Sequence, residues 1–328
     1  MELAPILLKK ARQWRNFCHV RDYGAASAMA ELCLGPKDCV YDRASETYWI
    51  RELDLRLTAV HHKLLSGLRL AVALKRAGVN FTNRGGEIVV DTGAFRVPVE
   101  SGEQLFILNE IIVHGVYNVV SARRGSIVLD VGMNVAYASL YFAAQPWVEA
   151  VWSYEPVPET YGCALRNLGR NPTLATKIIP HNFGLGASAG KVTFEYCSEL
   201  RGLAGISGLN PEFRRSFGVS ESDIKNVSVD VRDVCSVIKE VRSAYPRSQV
   251  IVKIDGEGAE YPIIAVLRRD GLLREVDAFL IEWHRHGPRE LEQTLTAAGF
   301  FVLSLTPHTG TAGMLYAHIC VDRDGSAG

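Results

Sequence analysis

The sequence has no excess of either charge, because 36 aspartate and glutamate residues balance its 36 lysine and arginine residues. A protein that binds nucleic acid or an anionic membrane usually carries a basic excess or a basic cluster. The balance therefore predicts neither a nucleic-acid partner nor a membrane partner. No segment reaches the roughly 18 consecutive apolar residues of a membrane span. The short N-terminal apolar run precedes its basic residues, the reverse of a signal peptide.

Cysteine is sparse and has no regular spacing. The chain has seven cysteines, an odd number, and no two of them form a CxxC pair. This excludes a recognisable disulfide framework or zinc ribbon and predicts reduced cysteines in a soluble, cytoplasmic protein. With 328 residues, 48% of them hydrophobic, the chain can bury one large core and a smaller appendage.

The glycine pattern of a dinucleotide-binding turn is also missing. An apolar strand at 127–131 runs into Asp130-x-Gly132-x-Asn134, where only the first glycine of G-x-G-x-x-G is present, and Asn134 and Tyr137 take the later positions. This argues against NAD or FAD and favours a ligand without a pyrophosphate. Gly132 would let the backbone approach that ligand closely. Asp130 could accept a hydrogen bond from an ammonium or a hydroxyl group.

From residue 126 onward, strand and helix patterns alternate. The alternation predicts βαβ units and hence an α/β, doubly wound, mostly parallel sheet of seven strands with an antiparallel last strand. The predicted strands are 127–131, 150–154, 177–182, 249–254, 277–282, 300–305 and 314–321.

The region before this sheet has a different pattern. Residues 1–80 are predicted to be a helical N-terminal extension, with a long helix from about Glu46 to Ala77 that is capped by Gly78. It could act as a cap, as the contact of a homo-oligomer, or as a substrate-contacting surface. Residues 81–120 are predicted to form a hairpin around Thr92-Gly93 and a lead-in helix, and residues 121–328 the main domain.

Polar residues at two further strand ends suit an adenosine group. Glu155 ends the second strand of the main domain, where an acid can bind both hydroxyls of a ribose. Asn182 and Phe183 end the third strand, where they could hydrogen-bond and sandwich an adenine ring. These strand ends lie on one edge of a parallel sheet, so we expect one cofactor crevice there.

A second polar turn follows the strand 249–254. Asp255, Glu257 and Glu260 could complement the dipole of the next helix or bind a hard cation; no metal ligand is predicted from them. Asp255 is best placed to face the cofactor or an incoming hydroxyl. Glu282 and His284 are two residues apart on a strand and share a face, and the histidine could take a proton near neutrality.

Four of these motifs, in order, resemble the FkbM-type S-adenosylmethionine-dependent methyltransferases. That family has Asp-Val-Gly-Ala-Asn-x-Gly-x-x-Ser, then Phe-Glu-Pro, Ile-Lys-Ile-Asp-x-Glu-Gly-Ala-Glu and Glu-x-His. The chain is similar over roughly 104–321. It departs from the pattern at Met133, Ala136 and Gly256, where the family usually has alanine, glycine and valine.

The resemblance implies a Rossmann-like fold, S-adenosylmethionine as cofactor, and a function in O-methylation of a small-molecule hydroxyl on a sugar or natural product. It implies that the cofactor contacts are Asp130, Gly132, Asn134, Tyr137, Ser139, Glu155, Asn182, Phe183 and Asp255. It implies that Glu257, Glu260, Glu282 and His286 line the acceptor side. His284 or Asp255 would be the general base.

Two other functions stay open from the sequence. The chain could be a non-catalytic partner protein that keeps the fold for scaffolding, although the retained strand-end acids argue against this. It could also be a nicotinamide-dependent oxidoreductase, which the missing glycines disfavour.

Overall fold

The computed structural model describes residues 39–42, 44–45, 47–118, 124–198, 200–203, 220–305 and 312–319. The chain divides into two compact units, Met1–Val116 and Tyr117–Gly328. In the part that is described, no helix has the length and apolar character needed to cross a membrane.

The first unit contains two small antiparallel sheets and short helices. One sheet has the order β1-β2-β3 and the other the order β4-β5-β6. The elements are β1 (Cys39–Asp42), β2 (Thr47–Ile50), β3 (Leu55–Leu57), a 3₁₀ helix (Ala59–Gly67), α1 (Leu68–Arg76), β4 (Asn80–Arg84), β5 (Glu87–Asp91), β6 (Arg96–Val99), α2 (Gly102–Asn109) and a π-helical turn (Glu110–His114).

The prediction of a long helix over Glu46–Ala77 was wrong for its first half. Within β2, Tyr48 and Ile50 are buried and Trp49 is more exposed; within β3, Leu55 and Leu57 are buried and Arg56 is exposed. This alternation has the period of a strand and not of a helix. Residues 1–38 of the predicted N-terminal extension lie outside the described residues. The role of the extension therefore stays a prediction.

The later parts of this unit agree with the sequence. Gly78 follows α1 with a φ of +93°, and its N–H donates to the carbonyl of Lys75, so it ends the helix as predicted. The hairpin around Thr92-Gly93 joins β5 to β6. The lead-in helix is shorter than expected, because Gly115 with a φ of +63° ends it.

The second unit is the predicted α/β domain. Its strands are β7 (Ser126–Val131), β8 (Val148–Tyr154), β9 (Ile178–His181), β10 (Gly184–Gly186), β11 (Gly190–Tyr196), β12 (Lys225–Asp233), β13 (Val250–Ile254), β14 (Ala278–His284), β15 (Phe300–Leu305) and β16 (Ala312–Ile319). Its helices are α3 (Tyr137–Ala143), α4 (Pro158–Gly169), α5 (Pro172–Ala175), α6 (Val234–Ala244), α7 (Glu260–Arg269) and α8 (Arg289–Ala297).

Seven of these strands form one sheet in the order β15-β16-β14-β13-β7-β8-β9. All neighbours are parallel except β16, which runs antiparallel to β14 and β15. The doubly wound fold, the seven strands and the antiparallel last strand are therefore confirmed. The winding reverses between β7 and β13, which is the position at which ligands bind in such sheets. We call the edge formed by the carboxyl ends of β7, β8, β13 and β14 the rim.

A second, three-stranded sheet has the order β10-β12-β11. Strand β12 and helix α6 were missed. Their signal was present, since Val227, Val229 and Val231 alternate with polar residues, and Asp233 caps α6 by accepting from the N–H groups of Cys235 and Ser236.

Strands β7 and β13 are buried at every residue, yet they carry opposite charges in adjacent positions. Asp130 and Lys253 are register partners, and their side chains form an ion pair of 3.0 Å. The ammonium group also lies 3.4 Å from Asp255 and donates to the carbonyl of Gly132 at 2.7 Å. Lys253 is 2% exposed and Asp130 is 0% exposed. Because neither charge is hydrated, each depends on the other.

We expect Lys253→Met to destabilise the protein by about 3–5 kcal/mol, because it leaves the buried carboxylate of Asp130 uncompensated. Urea unfolding followed by circular dichroism measures the loss. The double variant Lys253→Met/Asp130→Asn removes both charges and should recover most of it. A loss no smaller in the double variant than in the single variant would contradict the pairing.

Gly132 packs directly against the backbone of the neighbouring strand. A Cβ atom there would collide with the carbonyl oxygen of Asp255, and the residue has a φ of +85°. The sequence predicted that Gly132 lets a ligand come close to the backbone. In the structure, the group that comes close to Gly132 is the backbone of Asp255, which follows β13.

Gly132→Ala should therefore destabilise the protein by about 2–4 kcal/mol, the sum of overpacking and an unfavourable φ. Gly299→Ala is the matched control, since Gly299 has a φ of +94° but nothing within 4 Å of an added Cβ. The control should lose only about 1 kcal/mol. Equal losses in urea unfolding would show that the contact with Asp255 is unimportant.

Candidate active site

The turn after β7 places backbone and side-chain polar groups at the rim. Asn134 and Ala136 have φ values of +49° and +70°. The N–H of Asn134 donates to Oε2 of Glu155 at 2.9 Å. Its side-chain oxygen Oδ1 is buried and has no hydrogen-bond partner among the described residues. A buried acceptor without a donor is costly, so the turn is suited to a ligand that brings an N–H or O–H group.

Glu155 joins this turn to the end of β8. Its Oε1 accepts from the N–H of Val157 at 2.9 Å, while Oε2 accepts from Asn134. Burial raises the pKa of Glu155 to about 7, although the two backbone hydrogen bonds act in the opposite direction. Each carboxylate oxygen has two acceptor positions, so the group can accept further bonds from a ligand.

Asn182 and Phe183 extend the rim beyond β9. The side-chain amide of Asn182 donates to the backbone carbonyl of Glu155 at 2.9 Å. The ring of Phe183 packs 5.5 Å from that of Tyr154, and the guanidinium of Arg232 lies 4.0 Å from its centroid. An open pocket of about 470 Å³ begins here. It is lined by Asn182, Phe183, Gly190, Lys191, Asp230, Val231 and Arg232.

A cluster of acids surrounds a histidine at the ends of β13 and β14. Asp255, Glu257 and His284 each offer one ligand atom, and these atoms lie within 4.8 Å of one another. Nε2 of His284 is 3.6 Å from Oε1 of Glu257 and 3.7 Å from Oε1 of Glu282. The side chains of Asp255 and Glu282 are 28% and 26% exposed, so a ligand can reach them.

The cluster changes the protonation of its members. Burial lowers the pKa of His284, but the carboxylates of Glu260, Glu257, Glu282 and Asp255 outweigh this and raise it to about 10. Burial raises the pKa of Glu257 to about 7, and the positive charge of His284 opposes that rise. His284 is therefore protonated at neutral pH in the ligand-free protein. In that state it donates a hydrogen bond and cannot act as a base.

Backbone strain concentrates at the rim. Of five non-glycine residues with positive φ among those described, four lie in the turns that follow β7, β13 and β14; they are Asn134, Ala136, Glu257 and Arg285. Outside glycine, such a conformation costs roughly 1–2 kcal/mol per residue. Strain of this kind gathers at functional sites, where the surrounding structure holds it in place.

Several predicted contact residues are buried and bonded to the protein itself. The hydroxyl of Ser139 donates to Oδ2 of Asp130 and lies 2.9 Å from the hydroxyl of Ser153. Asp130, Tyr137 and Ser139 are at most 2% exposed. The predicted direct contact of these three side chains with a cofactor is corrected accordingly. They support the turn after β7 from below.

On the acceptor side, Glu260 and His286 also differ from the prediction. Glu260 is 0% exposed, and its carboxylate accepts from the N–H groups of Gly258 and His284, both at 2.9 Å. It cannot meet a substrate directly. His286 is exposed and its ring packs edge-on against Tyr261 at 5.3 Å, at the outer margin of the cluster. Glu257 and Glu282 lie beside His284; that they line the acceptor side stays a prediction.

Sequence reasoning missed the role of Lys253 and of Tyr261. A lysine within an otherwise apolar strand is a signal in itself, because a buried ammonium needs an anionic partner. The hydroxyl of Tyr261 donates to the backbone carbonyls of His284 and Gly287, both at 3.0 Å, and so holds the turn after β14. No sequence pattern indicates that contact.

The chain is similar in sequence to known methyltransferases. The chain is 24% identical over 217 residues to Methyltransferase sdnD of Sordaria araneosa, covering 60% of this chain and 82% of the relative. It is 21% identical over 186 residues to Methyltransferase 1 of Beauveria bassiana, covering 54% and 73%. A crystal structure of methyltransferase FkbM from Methylobacillus flagellatus KT matches with 13% identity and a TM-score of 0.40, covering 80% of this chain and 62% of that one.

A family model decides the assignment. The model of the methyltransferase FkbM domain matches residues 130–302, which is more than half of the chain and spans the rim from Asp130 to the end of β14. The resemblance seen in the four motifs is thereby confirmed: the chain belongs to the FkbM methyltransferase domain family.

Proposed function

We propose that this methyltransferase is an S-adenosylmethionine-dependent O-methyltransferase whose acceptor is a hydroxyl group of a small molecule, of the sugar or natural-product class. One observation carries the proposal. Two different polar sites meet at the switch point of the sheet, and the contact of Gly132 with Asp255 joins them. One suits an adenosyl amino acid and the other suits a hydroxyl group that must lose a proton.

The residues after β7, β8 and β9 fit the cofactor. The unpartnered Oδ1 of Asn134 would accept from the ammonium of its methionine end. Glu155 has acceptor capacity left for the ribose hydroxyls. Phe183 offers a partly exposed ring for the adenine, with Asn182 beside it. S-adenosylmethionine supplies, when bound, an electrophilic methyl group on a sulfonium.

The residues after β13 and β14 would hold the acceptor. Asp255 has the most exposed carboxylate of the four acids around His284 and is placed to accept the proton of the hydroxyl. The protonated His284 can donate a hydrogen bond to the acceptor and orient it. Correct positioning of this kind can supply several kcal/mol of the barrier reduction, up to roughly 7–11 kcal/mol in well-oriented systems.

The structure favours neither alternative function. The turn after β7 lacks the glycine pattern for a pyrophosphate, which the nicotinamide alternative needs. A scaffold protein would have no use for the strained turns and converging carboxylates at the rim.

The direct test is incubation with isotope-labelled S-adenosylmethionine and a panel of hydroxylated metabolites, followed by mass spectrometry. We expect a product that carries the labelled methyl group on oxygen. A protein that is folded but shows no heat of binding with S-adenosylmethionine in calorimetry would exclude the proposal.

Cofactor binding should depend on pH through Glu155. Its pKa in the free protein is raised to about 7. Ribose hydroxyls that donate to the carboxylate would favour its charged form and lower that pKa, so binding releases a proton and tightens as pH rises from about 6 to about 8. Calorimetry in buffers of different ionisation enthalpy measures both effects.

Glu155→Gln should weaken binding and remove its pH dependence over this range. Glu149→Gln is the matched control on the same strand, since Glu149 is exposed, and it should leave both unchanged. If Glu155→Gln keeps the wild-type pH profile, the ribose is bound elsewhere.

Loss of the carboxylate of Asp255 should slow methyl transfer. We expect Asp255→Asn to lower kcat by roughly 10²–10⁴-fold, the usual contribution of a general base, while the cofactor Kd changes little. Asp270→Asn, an exposed acid paired with Arg269, is the control. A kcat for Asp255→Asn near that of the control would remove Asp255 from the mechanism.

A further inference from the structure

The side chains of Asp255, Glu257 and His284 are arranged more closely than proton transfer to one carboxylate requires. The cluster places two carboxylates and one imidazole, from the turns after β13 and β14, around a single point. Their ligand atoms lie within 4.8 Å of one another. Two donor atoms that each bind one ion at about 2.0–2.2 Å are separated by about 3–4.4 Å. The 3.6 Å between Nε2 of His284 and Oε1 of Glu257 falls in that range.

The orientation of the His284 ring provides a second, independent observation. Its Nδ1 lies 3.3 Å from Oε1 of Glu260, and the backbone N–H of His284 donates to the same oxygen at 2.9 Å. Glu260 is fully buried, and the N–H of Gly258 holds its other oxygen. The contact with Glu260 turns Nε2 toward Glu257 and Glu282. A cation bound at Nε2 would replace the proton that this nitrogen carries in the ligand-free protein.

This is the arrangement in which histidine ligates metals. A metal-binding imidazole commonly donates its second N–H to a carboxylate, which sets the tautomer and the ring orientation. Here Glu260 has that supporting position, Glu257 lies on the side of Nε2, and Asp255 offers a ligand atom within 4.8 Å of those of the other two. Glu257 is held beside the histidine by a turn in which its φ is +48°.

We propose that Asp255, Glu257 and His284 bind a divalent transition-metal cation, and that Glu260 positions the histidine for it. Two carboxylates with one imidazole form a mixed oxygen and nitrogen donor set, which suits Mn²⁺, Fe²⁺ or Zn²⁺ better than the all-oxygen sites of Mg²⁺ or Ca²⁺. The site differs from the expectation drawn from the sequence, where no metal ligand is predicted. The reason is that His284 lies 27 residues beyond Glu257 in the chain and is brought to it by the pairing of β13 with β14.

The role of the ion rests on the proposed function. A cation bound by these three side chains would also coordinate the oxygen of the acceptor and lower the pKa of its hydroxyl group. The proton would then leave more easily toward a carboxylate of the cluster. With the ion bound, the ion and not a proton on His284 would hold the acceptor.

The test measures metal binding itself, without cofactor or acceptor. The full-length protein is treated with a chelator, dialysed and titrated with Mn²⁺, and free Mn²⁺ is followed by electron paramagnetic resonance; Zn²⁺ is titrated by calorimetry as a second probe. We expect one saturable site per chain. Glu257→Gln should abolish it, and Glu260→Gln, which changes only the support of His284, should weaken it by roughly 10–100-fold.

Glu290→Gln is the control, since Glu290 is exposed and lies outside the cluster, and it should bind like the wild type. Circular dichroism establishes that each variant is folded. The inference is overturned if the folded wild-type protein binds neither ion, or if Glu257→Gln binds as tightly as Glu290→Gln, because the ion would then lie elsewhere.

The same samples separate this inference from the proposed function. If the chelated protein binds S-adenosylmethionine and methylates its acceptor at the full rate, and no ion binds, only the metal site fails. If Mn²⁺ binds as described but S-adenosylmethionine does not, the metal site stands and the proposed function fails.

Discussion

The buried pairing of Lys253 with Asp130 is the interaction on which the rim depends. It lies where the winding of the sheet reverses, between the penultimate residues of β7 and β13, and both groups are buried. A buried charge pair adds little net stability compared with apolar residues of similar size. Separating the two charges is costly, however, so the pair keeps β7 and β13 in one register. Because the same ammonium group also reaches Asp255 and the carbonyl of Gly132, it sets the positions of both functional turns at once.

The turns after β7 and β13 carry different polar groups. After β7, Asn134 and the neighbouring Glu155 form a site with one unsatisfied acceptor and one carboxylate whose pKa is near 7. After β13, Asp255 and Glu257 converge on His284. Strained backbone is present on both sides, and the backbones of Gly132 and Asp255 are packed so closely that a Cβ atom on Gly132 would collide with the carbonyl oxygen of Asp255. A methyl donor and a hydroxyl acceptor bound there would therefore meet in a geometry set before either arrives.

Much of this could be predicted because local patterns determine it. Strand β13 appears in the sequence as an apolar run that ends at Asp255, and each of the seven sheet strands was located to within two residues. The error at residues 47–57 arose because the leucines there, spaced by two, were assigned to a helix period. Strand β12 was missed although its valines alternate. Buried residues such as Ser139 in α3 were taken for ligand contacts because a sequence motif alone does not reveal how deeply a side chain is buried.

The sequence by itself determined the order of strands and helices, the acidic strand ends and the family, because these follow from periodicity and short motifs within single segments. Only the tertiary structure decided which acids are accessible and which are buried partners. Asp130 became the counter-ion of Lys253 through the register of β7 and β13, and Glu260 became the support of His284 because the first turn of α7 lies beside the end of β14. Register depends on packing across the whole sheet, so the charge, the depth and the neighbours of each rim residue appear only when all the strands are assembled.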